Sequence, residues 1–551
     1  MLDKVFLREE VERYIDRYYL QAPILKRHRD VAAMHLLRVF DEWHRLAGIT
    51  PFKTTNERLE QHARLRWAHD AIPWALRWIW SDCPVNNTVS LDLNWDVYAE
   101  ARDLMELSSR YDDLCRCFTL YSRGFFTAET VKERKEIRFS YRSDFEERRD
   151  AVAFIYSTFQ DRSRVSRSLI DLVRETVPVI NAILPHYITK DGEFSVLCEI
   201  PPDMWQYFKR WASVLVQDMR FDMPGTWNLG DFTLDDFKAF WKSLLALSIA
   251  QIQAHQLADG AVGTRNGAIA SLILRLTEES LHAASSLFPI SDKSWLSIAK
   301  MLVYEPSRKY WDPYWQPIIK ISDGTLLISP HLIATSSPQR NLLTLLARSA
   351  AGRAVYNRLS PQKEAEQLRG LAEVFKRFPL RTRVPVPQVG GDMLTDIDLL
   401  AFDEKNKVLL LVHAKWLMRP DTVQEVLARD EEVQTALKTA ARAAARIAEL
   451  GTGWLSSVLG TEIKAQPTLR SIVVSRDFIP SGWVNYPQVS AIDSDFVTSF
   501  VGSPKFNGLG SVYDACANFY QDFERKHPLK KTEAEIEFGE YVFKSPSSEL
   551  I

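Results

Sequence analysis

No stretch of this sequence approaches the ~20 consecutive apolar residues that a membrane-spanning helix needs. Its first residues, MLDKVFLREEVERYIDRYY, carry charge where a secretory signal has an apolar core. The expectation is a protein that stays in the cytoplasm and has no membrane partner. Cysteine is scarce: Cys83, Cys115, Cys117, Cys198 and Cys516 contain no CxxC spacing, and Cys115 with Cys117 cannot complete a tetrahedral zinc site. A reduced setting follows. Charge of one sign is also missing, since 69 Lys and Arg stand against 71 Asp and Glu for a net charge of -2, which gives no global attraction to polyanions. Any nucleic-acid surface must be local. There is no Walker-type loop, because DGAVGTRNGA has glycines at the wrong spacing, and His28 and His35 lack a carboxylate at zincin spacing. No internal repeat or low-complexity segment interrupts the chain.

What is there is an ordinary globular composition, 46% hydrophobic and 25% charged, spread over 551 residues. That length exceeds what one hydrophobic core serves, so a multidomain protein of two or three units is expected. Residues 1–305 repeat apolar positions every three or four residues, as in LREEVERYIDRYYL and DVAAMHLLRVFDEWHRLAGI. This predicts a mostly α-helical N-terminal region of one or two subdomains, suited to recognising a target, a protein partner or a second copy of the chain. One strand-like interruption, EIRFSYR, breaks it. Thirteen of the 16 tryptophans lie at or before Trp315, at spacings that suit a core rather than base stacking.

Residues 306–551 read instead as an α/β domain with its core at about 360–501. QPIIKISDGTLLISP predicts two short strands around an Asp-Gly turn. A helix over about Gln339–Ser349 and a second starting at Ser360-Pro361 follow, Ser as cap and Pro in the first turn. Then come strands RTRVPVP, DIDLLAF and VLLLVHAK, a long helix over about Thr422–Leu450, and strands TLRSIVVS and QVSAID.

The turn DEKNK makes DIDLLAF and VLLLVHAK an antiparallel hairpin. If Asp403 faces Val408, the arithmetic sets Asp398 opposite His413 and Asp396 opposite Lys415, and period two puts each pair on one face of its strand. Neighbouring carboxylates repel unless a cation sits between them, and oxygen donors suit Mg²⁺ or Mn²⁺. A lysine beside them meets the negative charge of a phosphate. These parts suit metal-assisted attack of water on a phosphodiester.

A helix carrying Glu, a hairpin carrying DID, a strand ending in a residue-x-Lys motif, then a long helix and further strands together resemble the PD-(D/E)xK nuclease superfamily. The resemblance covers about Ser360 to Val501 and implies a restriction-endonuclease-like fold. It also implies a metal-dependent endonuclease acting on DNA more than RNA, in restriction, repair or antiviral defence against foreign DNA. On this resemblance Asp398 is the metal-binding aspartate, Lys415 the motif lysine, and Ala414 lends a backbone carbonyl to the Mg²⁺ or Mn²⁺. The departure is His413, which stands where the family has Glu or Asp; a neutral imidazole suits Mn²⁺ better than Mg²⁺. Asp396 or Glu364 is the expected source of the missing charge. Glu364 comes first, because it lines up with Leu368, Leu371 and Phe375 on the inward side of its helix whereas Glu366 does not.

The long helix adds Gln434, Lys438, Arg442 and Arg446 at four-residue intervals, opposite an apolar line of Val433, Leu437, Ala440, Ala444 and Ile447. Such a basic stripe can track phosphates or serve as a solvated face. Two alternatives to an active nuclease stay open. One is a nuclease-like module that has lost catalysis and serves nucleic-acid binding or assembly. The other is a helical interaction protein whose C-terminal part is structural, with Asp396 and Asp398 bonded to turns, His413 a hydrogen-bonded semi-buried histidine and Lys415 extended into solvent at a strand end.

Overall fold

The computed structural model describes the chain apart from residues 1–5, 50–54, 86–88, 132–134, 145, 148–165, 220, 222, 265–267, 305–311, 387–395, 419, 421, 477–488, 527 and 551, and apart from some side chains within helices and strands. Helices dominate its first half. The principal ones are α1 (Arg29–Ile49), α2 (Thr55–Asp82) and α3 (Trp95–Ser122), then α4 (Arg167–Ile183), α5 (Trp205–Asp218) and α6 (Leu234–Val262). Strand β2 (Glu136–Tyr141) stands where EIRFSYR breaks the helical period, and β1 (Phe126–Val131), which the pattern did not single out, pairs with it. No described helix is long and apolar enough to cross a membrane.

Two cores hold this half together. The first gathers α1, α2 and α3 around residues such as Leu36, Phe40, Leu76, Leu104 and Phe118. The second is centred on α6, with Phe237, Phe240 and Trp241 all but fully buried. Polar groups also run through the interior along α1. The Arg38 guanidinium donates to the carbonyls of Leu91 (2.9 Å) and Ala270 (2.8 Å), and Asp41 accepts from the backbone N–H (2.9 Å) and Nδ1 (2.7 Å) of His331. Buried polar groups must be paired, so these bonds select one arrangement of α1 against the 270–331 segment.

The two short strands expected around an Asp-Gly turn are β4 (Ile318–Lys320) and β5 (Leu326–Ile328). A third, β3 (Leu274–Leu276), pairs with β5, so one small sheet takes strands from both sides of residue 305. Helix α7 (Pro338–Arg348) follows. Next, α8 (Ala350–Phe375) starts ten residues before the expected Ser360 cap, because Ser349 accepts the amide of Gly352 at 2.9 Å and is itself the cap. Pro361 therefore lies inside the helix. Its missing amide is tolerated because Leu359 before it and Leu368 after it are both buried and hold the helical path.

The C-terminal α/β layer is a five-stranded sheet. Its strands are β6 (Leu380–Pro385), β7 (Asp396–Asp403), β8 (Val408–Trp416), β9 (Thr468–Arg476) and β10 (Val489–Asp493), and they lie side by side in that order. The first three run antiparallel and the last two join β8 in parallel. α8, α10 (Ser494–Val501) and α11 (Leu509–Lys526) cover one face through Leu399, Leu410 and Val412. α9 (Val423–Leu459) covers the other through Leu400, Phe402, Leu409 and Leu411. Thr422 caps α9, and its helical path breaks at Gly451, whose φ of 71° favours glycine. Of the expected apolar line, Val433, Leu437, Ala440 and Ile447 are at most 1% exposed and Ala444 is half-buried. The layout is thus helices first and mixed sheets with helices after.

The chain then returns to its beginning. The hairpin β11 (Leu529–Phe538) and β12 (Tyr541–Leu550) joins β1 and β2 in a four-stranded sheet, with β12 running parallel to β2. Phe538 and Phe543 enter the first core beside Phe118 and Phe139. Phe543→Ala is expected to destabilise the protein by about 3–5 kcal/mol, the usual loss for a buried Phe truncated to Ala. The urea midpoint of unfolding, followed by tryptophan fluorescence, should fall accordingly.

Candidate nuclease-like site

The hairpin β7–β8 turns on Asp403. Its carboxylate accepts from the backbone N–H (3.0 Å) and Nδ2 (2.8 Å) of Asn406 and from the amide of Leu509 (3.1 Å), which pins both the turn and the start of α11. The expected register holds from Asp403↔Val408 to Leu399↔Val412. There the ladder ends. On the other flank, β6 pairs Thr382 with Leu399 and Val384 with Ile397 but skips Arg383 and Asp398. Arg383 has a φ of 48°, in the left-handed region. Ile397 enters the core under α9 whereas Leu399 enters the core under α8, so strict alternation slips between them.

Counting predicts Asp398 opposite His413, but the ladder gives Asp398 no partner on β8. Its Oδ2 instead accepts the amide of Ala414, at 2.8 Å, across the opening fork of β7 and β8. Burial pushes this carboxyl above the ordinary range, and the charge of Glu364 adds to the effect. The Ala414 amide, Lys415 and Arg383 oppose it. Lys415, Arg383 and Glu364 are exposed, so four charges share one site with Asp398 half-buried among them.

His413 is different in kind. Only 4% exposed, it keeps Nε2 without a hydrogen-bond partner. Burial, with Lys415 adding, pulls its pKa down to about 4, so it is neutral at pH 7. It brings no negative charge to the fork. Asp396 belongs to β7 by backbone, but its side chain lies outside the described residues.

Residues that the pattern did not single out also converge here. On α8 the inward position beside Glu364 belongs to Lys363, 3% exposed, whose Nζ sits 4.1 Å from the Trp416 ring centre and 4.7 Å from that of Tyr356. Burial draws its pKa down to about 7. Gln367, one turn on, donates to the Val474 carbonyl at 3.4 Å and keeps a buried Oε1 without a partner. Helical spacing alone could have found Lys363 and Gln367 as neighbours, but not their burial. For Arg383 the sequence offers only the basic alternation of RTR.

The basic stripe on α9 faces away from the buried line. Lys438 and Arg442 are exposed and make no ion pair among the described residues; Gln434 is half-buried, and Arg446 is held by Glu449 at 2.5 Å. Two of the four positions thus remain open to an anion.

Among the described residues no three His, Cys, Asp or Glu side chains gather as a metal cluster. Mg²⁺, however, is commonly held by one or two carboxylates, with water and substrate phosphate completing its shell. Asp398 and the exposed Glu364, whose charge reaches it, are the two carboxylates available at the fork for such a shell. The contact observed for Ala414 is through its amide. No family model, no curated protein and no solved structure matches the chain.

His413 sets a pH dependence. Folded, it takes up a proton only near pH 4, against 6.5 for an unperturbed histidine, so between these values the unfolded chain binds more protons. Stability should therefore fall as pH drops from about 6.5 towards 4. His35, His44 and His69 act in the same direction. Urea unfolding at pH 7 and pH 5 should show His413→Gln losing less stability on acidification than the native protein. An equal loss would place His413 in a wetter setting than this one.

Proposed function

We propose that the chain is a metal-dependent endonuclease with a restriction-endonuclease-like C-terminal unit, hydrolysing phosphodiester bonds in DNA more readily than in RNA. The helical N-terminal unit then serves target or partner recognition. The observation that carries this reading is the fork of β7 and β8, where Asp398, bonded to the Ala414 amide, shares the field of Lys415, Arg383 and Glu364. An acid pair flanked by cations is what a phosphodiester with a bound divalent ion requires.

Asp398 and Glu364 are the residues that would hold Mg²⁺ or Mn²⁺. When bound, such an ion neutralises phosphate charge and makes water a better nucleophile at neutral pH. Lys415 sits at the strand end with its ammonium in solvent, so it meets a non-bridging phosphate oxygen as charge builds there. Water then forms a new P–O bond as it releases a proton to solvent, the bond to the leaving sugar oxygen breaks, and that oxygen takes up a proton from solvent. His413, two residues before Lys415 on β8, stays neutral and adds no charge to the site. The exposed Lys438 and Arg442 give the backbone of a longer substrate two further contacts.

A second reading keeps the fold and the binding but not the cleavage. The neutral, buried His413 at the position of a family carboxylate favours it. It predicts binding without cutting, and weak cleavage gained by His413→Glu.

The test is incubation of the purified protein with plasmid, linear duplex, single-stranded DNA and RNA, with Mg²⁺, with Mn²⁺ and with chelator. Cleavage of DNA is expected with either ion, since oxygen donors suit both, and none with chelator. Asp398→Asn keeps an acceptor for the Ala414 amide while removing the charge, and Lys415→Ala removes the cation. Each should lower the cleavage rate by ~10²-fold or more with the thermal melt retained. Native-speed cutting by both variants would remove the site from the account.

A further inference from the structure

Among the described residues four non-glycine positions have positive φ: Lys135, Ala268, Arg383 and Lys407. Three lie in turns; only Arg383 lies within a strand. A left-handed residue with a side chain is strained, and such strain persists where the surroundings impose it, often at functional sites. Core packing on the Arg383 side chain does not explain it, because that side chain is exposed. What the kink does is open the sheet at one point. Arg383 and Asp398 face each other across β6 and β7, and theirs is the one pair that the ladder omits between Leu380↔Ala401 and Pro385↔Asp396.

The guanidinium is near enough for its charge to favour the ionised form of Asp398. Yet among the described residues it makes no ion pair and no hydrogen bond. Its donors are left to solvent beside the fork, on the flank of Asp398 away from β8. A planar guanidinium in that position matches a phosphate by two parallel N–H···O bonds, as an ammonium cannot. Resting on the nuclease reading above, we propose that Arg383 is a phosphate-contacting residue of the site. It grips the substrate phosphodiester from the β6 side while Lys415 meets it from the β8 side.

The experiment uses full-length protein and a short fluorescein-labelled DNA duplex. Anisotropy in chelator gives the affinity over a range of salt, and cleavage is read separately with Mn²⁺. Arg383→Asn removes the charge with a residue that tolerates the left-handed backbone; Arg383→Lys keeps a charge without the fork. The Asn variant should bind more weakly, with a log–log salt slope shallower by about 0.9, the share of one phosphate contact on duplex DNA. The Lys variant should recover most of that slope, and both variants should cut more slowly than the native protein by ~10-fold or more. A native slope and native cleavage in the Asn variant, with Asp398→Asn inactive, would overturn the role of Arg383 and leave the nuclease reading standing. A native protein that neither binds nor cuts would overturn both. If the Asn variant fails to fold, the Lys variant decides, and native-speed cleavage by it would overturn the proposal.

Discussion

Past Leu399 and Val412 the hairpin strands cease to exchange backbone bonds, and the amide of Ala414 points into a gap between them. An unpaired donor at a position only 8% exposed costs about 1–3 kcal/mol. Asp398 removes that cost by accepting the amide at 2.8 Å. The same bond fixes where its carboxylate stands and leaves its other oxygen to the fork. Everything proposed for the site depends on this contact, since Lys415, Arg383 and Glu364 take on meaning only as charges around a placed acid. It also makes Asp398 part of the fold. Removing its acceptor and removing its charge are different perturbations.

The site lies beside the cores built on the helices. Trp416, one residue past Lys415, and Met418 pack against the core built on α6, and Leu427 of α9 enters the core of α1, α2 and α3. Lys363 adds to this seam by lying between the rings of Trp416 and Tyr356. The end of β8 is thus held from the helical side as well as by its sheet neighbours. The helical half packs directly on the strand that carries Lys415.

Much of the α/β layer was legible because its signals are local. Asp403 and Asn406 fix the turn and hence the register; Thr422 caps the long helix, whose path kinks at Gly451 next to the expected end at Leu450; and Val433, Leu437, Ala440 and Ile447 mark its buried line. Other features depend on distant residues. The parallel pairing of β12 with β2 joins segments some 400 residues apart and has no local pattern. Ser360-Pro361 reads as a helix start, yet Ser349 makes the cap and buried leucines carry the helix through the proline. Glu364 was chosen by helical spacing as the inward acid, but the inward position at that turn goes to Lys363, and Glu364 sits at the rim. Counting by twos failed at Asp398 because a left-handed residue on the neighbouring strand breaks the alternation. Strain at one residue is invisible to a pattern of residue types.

The most direct measurement is diffraction from crystals of the protein grown with a short DNA duplex and Mn²⁺, collected to locate manganese by its anomalous signal. A peak is expected within coordination distance of the Asp398 carboxylate, on the side of Glu364, with a phosphate of the duplex between Lys415 and Arg383. Duplex seated elsewhere, or a fork that holds neither manganese nor phosphate while DNA is bound, would contradict that arrangement.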